Sequence, residues 1–123
     1  MIRGVVNVHH EATVRLRVRG PSGIESGVDA IVDSGFTASL ALPVTVVTAL
    51  GLTRQSGGSA LLADGSVRQF DICAAEVAWG RIWRPVLVYA VGGEPLLGMR
   101  LLAGHKLVIE VVPGGLVEIF SLP

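Results

Sequence analysis

The chain has 123 residues, ten basic and ten acidic, so it carries no formal net charge; half of its residues are hydrophobic and 16% are charged. That length suits one domain spanning residues 1–123, and that apolar content supports a sizeable core and argues against disorder. The neutral balance lacks the basic footprint of a nucleic-acid binder and leaves little colloidal repulsion to oppose self-association.

Val5 to Val8 reads as a short strand. His9 and His10 follow it, and adjacent strand residues point to opposite faces, so the pair is a poor metal site. From Ala12 to Arg19, Val14, Leu16 and Val18 alternate with Arg15, Arg17 and Arg19. This period of two predicts a strand with one buried and one solvated face. Gly20-Pro21-Ser22-Gly23 is a turn. Ile24 to Val32 returns as a strand whose apolar end, Ala30-Ile31-Val32, runs directly into Asp33.

Asp33-Ser34-Gly35 is the chemical focus. A carboxylate at the end of a buried strand is costly unless it is hydrogen-bonded, shared or neutralised. Ser34 adds a hydroxyl and Gly35 a permissive turn. Ser39 to Leu42 then reads as a short buried strand. Pro43 suits the first helical position and Gly51 a helix end, with a short helix between them. Thr53 to Ser59 reads as a polar loop.

Ala60-Leu61-Leu62 and Val67 to Phe70 flank Ala63-Asp64-Gly65-Ser66. Asp-Gly between strand-like runs signals a hairpin, which makes Asp64 a turn residue rather than a second catalytic acid. Phe70 to Trp79 continues as a long strand, with Ile72, Ala74 and Val77 expected inward. Gly80-Arg81 turns the chain into a strand from Ile82 to Ala90, where Trp83 and Tyr89 are candidate packing anchors. After the loop Gly92 to Pro95, Leu96-Leu97 is a buried pair that stops at Gly98, and a helical turn begins. His105 caps that turn or stays exposed. Lys106 to Val112 and Leu116 to Leu122 form a last strand pair around Pro113-Gly114-Gly115.

Cys73 is the single cysteine, so it offers no intrachain disulfide and reads as a packed strand residue. Met1 to Ala12 lacks the apolar core of a signal peptide. The uncharged stretch Ser34 to Thr53 is too interrupted by Pro43, hydroxyl residues and glycines to span a membrane. A cytoplasmic protein with no membrane partner is the expectation.

An apolar strand entering Asp33-Ser34-Gly35, a downstream hairpin, and Leu96-Leu97-Gly98 followed by Leu101-Leu102 form an ordered set. It resembles the retropepsin-like aspartic proteases in their bacterial single-domain form, over roughly Ile24 to Val112. The resemblance implies an all-β, closed retropepsin-like barrel with one or two short helices, one lobe per chain. It implies an aspartic endopeptidase with no metal or organic cofactor, in which Asp33 is catalytic and Ser34, Gly35, Leu97 and Gly98 support its loop. It also makes Ala63, Asp64 and Gly65 the tip of a substrate-binding flap. Chemistry of this type needs two carboxylates sharing a proton. One such loop per chain therefore implies a homodimer, with Asp33 meeting its symmetry mate at the axis. Departing from viral members, Thr37 stands two residues after the Gly, where an Asp is common, and Arg100 stands where Asp or Asn is common. Two other readings fit the same residues: a catalytically silent dimeric peptide-binding or adaptor module of this fold, and an unrelated small barrel with a coincidental tripeptide.

Overall fold

The computed structural model describes residues 1–123. Ten strands and two short helices follow in order: β1 (Ile2–Val6), β2 (Ala12–Arg19), β3 (Glu25–Val32), β4 (Leu40–Leu42), α1 (Val44–Ala49), β5 (Thr53–Leu61), β6 (Val67–Trp79), β7 (Ile82–Ala90), β8 (Leu96–Leu97), α2 (Met99–Leu102), β9 (His105–Ile109) and β10 (Leu116–Ser121). The strand order is β5-β6-β7-β4-β8-β3-β2-β1-β10-β9, and β6 also pairs with β2. That extra pairing closes a barrel from β6, β7, β4, β8, β3 and β2, the architecture expected from the sequence. Closure removes exposed edges from the ring. The β5–β6 hairpin and the β1–β10–β9 sheet extend beyond it.

The barrel fills with the inward faces of alternating strands. Val14, Leu16 and Val18 of β2 are buried together with Val28 and Ala30 of β3, Leu40 and Leu42 of β4, and Leu97 of β8. The arginines between them on β2 face out and meet carboxylates: Arg15 with Asp29 at 3.2 Å, and Arg19 with Glu76 at 3.0 Å. Arg17 and Arg19 also lie over the Trp83 ring, at 5.2 and 4.0 Å from its centroid. Trp83 thus anchors the outer face of the wall rather than its interior, with its indole covered by guanidinium.

Four expectations are corrected. The first strand spans Ile2–Val6, not Val5 to Val8. It ends because the Asn7 side chain accepts the main-chain N–H groups of His9 and Glu11, which forces a turn, and His10 takes a positive φ of 61°. Pro43 precedes the helix instead of starting it, with extended ψ at 147°. Thr53 to Ser59 is not a loop but most of β5, paired with β6 through Leu61↔Val67. It has no apolar alternation because nearly all of its residues are solvated on both faces, and its order comes from the ladder to β6. On β6 the inward residues are Cys73, Ala75, Val77 and Trp79, while Ile72 and Ala74 are half-buried on the other face. Both faces of that stretch are apolar, so the alternation does not reveal its phase.

His105 is half-buried. Its Nε2 accepts the Trp79 indole N–H at 3.2 Å, which leaves Nδ1–H to donate to the Ala103 carbonyl at 3.0 Å. It therefore caps the end of α2, and its ring is also pinned to β6. No helix is long and apolar enough to cross a membrane.

Candidate active site

Asp33 follows the last residue of β3. Its position comes from β8, which inserts between β3 and β4. Ile31 and Val32 pair in parallel with Leu96 and Leu97, while Leu40 and Ala41 pair antiparallel with Leu97 and Leu96. Val32 and Leu97 are apolar and pull both strands into the core, with Leu97 fully buried. The Asp33 N–H donates to the Leu97 carbonyl at 3.0 Å, so the backbone bearing the carboxylate is tied to the barrel's centre.

The loop from Asp33 to Ser39 wraps over Gly98. Phe36 N–H donates to the Asp33 carbonyl at 3.1 Å, Met99 N–H to the Phe36 carbonyl at 2.8 Å, and Gly98 N–H to the Ser39 carbonyl at 2.9 Å. A Cβ on Gly98 would overlap the Ala38 carbonyl oxygen. Glycine is required at this point because two stretches of backbone pass in contact.

Asp33 is half-buried, whereas Ser34 and Gly35 are exposed. Asp33 Oδ1 accepts the Gly35 N–H at 2.9 Å. That bond is its only one, so Oδ2 is free to accept from or donate to a water or a second carboxyl group. Most other carboxylates are engaged by arginines or by nearby amides and hydroxyls. No other carboxylate shares the loop, and no group of three or more His, Cys, Asp or Glu side chains comes together.

Ala63, Asp64 and Gly65 form the exposed tip of the β5–β6 hairpin. Gly65 has φ 85°, as its turn position demands. Asp64 Oδ1 accepts the Ser66 N–H at 2.9 Å and also the Ser66 hydroxyl. These bonds favour the anion and hold the Asp64 carboxyl below its usual range. Asp64 is thus a turn-stabilising residue. Its neighbours Leu61, Leu62 and Val67 are exposed apolar residues at the same tip.

Three aromatic rings connect the hairpin to the Asp33 loop. Phe70 on β6 lies 5.1 Å from Tyr89 on β7, and Tyr89 meets Phe36 edge-on at 5.6 Å. The Phe70 ring also covers Gly58 on the paired strand. The sequence pointed to Tyr89 as an anchor but not to this chain of contacts, which joins three separate segments.

Asp33 lines none of the three main clefts. The largest, of about 730 Å³, lies beside its loop and is bordered by Thr37, Ala38 and Ser39 together with β6, β7 and Arg100.

The sequence matches no protein-family model and no curated protein. In structure, the chain is similar to a retropepsin-like aspartic protease from Rickettsia conorii. The TM-score is 0.61 over 99% of this chain and 92% of that one, at 18% sequence identity. The fold is therefore retropepsin-like.

Proposed function

We propose that this retropepsin-like chain is an aspartic endopeptidase that acts as a homodimer. The observation that carries the reading is the Asp33 carboxylate. It is fixed through its own backbone and Gly35, has one oxygen without a hydrogen-bond partner, and lines none of the three main clefts of the single chain.

A lone carboxylate cannot both take a proton from water and give one to the substrate carbonyl. A second Asp33, supplied across a twofold axis, completes the pair. The two share one proton. The ionised member takes a proton from a water, which attacks the peptide carbon, while the protonated member donates to the carbonyl oxygen. The resulting tetrahedral diol then breaks its C–N bond: the protonated member of the dyad gives its proton to the leaving nitrogen while a diol hydroxyl returns one to the ionised member, which restores the shared proton. The Leu97 carbonyl and the Gly35 amide keep the carboxylates oriented through these transfers. The exposed hairpin about Asp64 serves as the flap that covers the peptide. On the outer face of the terminal sheet, the exposed residues Val5 and Leu116 pair side by side, and they supply apolar surface that association would bury.

The test is cleavage of an unfolded protein across about pH 4 to 7, comparing wild type with Asp33→Asn over a range of chain concentrations. The expected result is wild-type turnover whose rate per chain rises with concentration, with a loss of about a thousandfold in the variant. Turnover that survives in Asp33→Asn overturns the reading. A dimer by solution mass with no turnover at any concentration points instead to a peptide-binding module.

A further inference from the structure

We infer that the cleft beside the Asp33 loop is a carboxylate-recognising subsite, which rests on the peptidase reading and gives that enzyme a preference for peptides bearing an acidic group at one fixed position. Nine of the ten basic residues are arginines. Five of them are paired with carboxylates: Arg3 with Glu118, Arg15 with Asp29, Arg17 with Glu25, Arg19 with Glu76, and Arg54 with Asp71. Arg68, Arg81, Arg84 and Arg100 have no such partner. Arg84 and Arg100 border the same cleft of about 730 Å³, and no Asp or Glu lines it. Unneutralised cations in a concave surface focus a positive potential that an anion relieves.

The two guanidinium groups are positioned differently. Arg84 Nη1 donates to the Leu101 carbonyl at 2.9 Å and its guanidinium lies 5.9 Å from the centre of the Trp79 ring, so the side chain is held between β7 and α2 while its other N–H groups make no hydrogen bond. Arg84 also borders a second, smaller depression near Trp79 and His105. The Arg100 side chain makes no hydrogen bond, but its backbone is fixed, with its N–H donating to the Ala38 carbonyl at 3.3 Å. Arg100 therefore keeps its place relative to Asp33. Thr37, Ala38 and Ser39 belong to the loop that follows Asp33 and border this cleft, so the subsite adjoins the loop that carries the carboxylate. Thr37, Ser39 and Gln55 line the same cleft and add neutral hydrogen-bonding groups. A planar guanidinium with two free N–H groups matches a carboxylate bidentately. The acid is either a Glu or Asp side chain or the free C-terminus of a peptide.

The test uses peptide pairs that differ only by Glu against Gln at one position, with that position scanned, and a second series with free or amidated C-termini. Cleavage is measured with wild type, and binding with Asp33→Asn, at about pH 6, where Glu is ionised. Arg100→Gln and Arg84→Gln are compared with Arg81→Gln, an exposed and unpaired arginine that does not border this cleft. One position should favour the acid about tenfold, less at high salt. Arg100→Gln should abolish the preference while sparing cleavage of the Gln peptide, and Arg81→Gln should leave both unchanged. Because Arg84→Gln can also loosen α2, Arg100→Gln is the deciding variant. The series that responds identifies side chain or C-terminus as the source. Absence of an acid preference in both readouts overturns the subsite, as does a preference weakened equally by Arg81→Gln. Cleavage without charge preference refutes the subsite alone, whereas acid-selective binding without cleavage refutes the peptidase reading alone.

Discussion

Replacing Gly98 by Ala isolates the contact that holds the Asp33 loop. Gly98 has φ −100° and ψ 174°, an ordinary extended conformation open to alanine, so the cost of the substitution is steric. The added methyl would overlap the Ala38 carbonyl oxygen and lie 2.8 Å from the Phe36 carbonyl oxygen and 2.7 Å from Phe36 Cδ2. Both carbonyls are held, one by Met99 N–H at 2.8 Å and the other by Arg100 N–H at 3.3 Å. Overpacking costs about 1–3 kcal/mol, and each hydrogen bond opened to relieve it costs about 1 kcal/mol more. The expected destabilisation is about 3–5 kcal/mol. At roughly 4 °C per kcal/mol for a chain of this size, Tm falls by about 12–20 °C. Calorimetry or circular dichroism melts of wild type and Gly98→Ala in one buffer measure it. Gly35→Ala is the control: a Cβ there meets only Asp33 Oδ1, at 3.2 Å, and Tm should move by less than about 4 °C. A Gly98→Ala melt within about 4 °C of wild type would refute the close approach of β8 to the loop.

Other substitutions probe the same frame. Asp33→Asn keeps an oxygen that can accept the Gly35 N–H, so its melting temperature should stay within about 4 °C of wild type even as turnover disappears. Leu97→Ala removes a fully buried side chain and should cost about 2–5 kcal/mol, read as a shifted urea midpoint. The Asp64 carboxyl is held below its ordinary value of 3.8 by Ser66. Its ordering of the hairpin tip should therefore be complete above pH 3.8 and be lost only as pH falls through its lower folded value, seen as a shift of the Ser66 amide resonance. Burial raises the Cys73 thiol above its usual range, and the side chain is 2% exposed. A thiol reagent at mildly alkaline pH should leave it unmodified in the native protein and label it fully in urea.

Much of the barrel was legible because its strands carry their own markers. The Val-Arg alternation of β2 states which face is buried, and Gly23, Gly51, Gly65 and Gly80 take positive φ at points where turns or a helix end were expected. Asp33 was legible as a strand end because Ala30-Ile31-Val32 is apolar up to the carboxylate. β5 was not, since a strand solvated on both faces leaves no hydrophobic period and is ordered only by its partner. The phase of β6 was hidden by apolar residues on both faces. The unpaired state of Arg84 and Arg100 was also invisible. Which arginine meets a carboxylate depends on cross-strand register between distant segments, as with Arg19 and Glu76.

The insertion of β8 between β3 and β4 also sets an order of events in folding. The Asp33 loop is made early in the chain, but the carbonyl that anchors it belongs to Leu97, beyond the whole β5–β7 region. Pairings this distant in sequence close large loops and form slowly compared with local hairpins. A nascent chain or fragment that ends before Leu96 carries the Asp-Ser-Gly tripeptide without the strand that orients it. Orientation of the Asp33 carboxylate is thereby coupled to synthesis through Gly98, and on the peptidase reading partial chains that contain Asp33 should show no turnover.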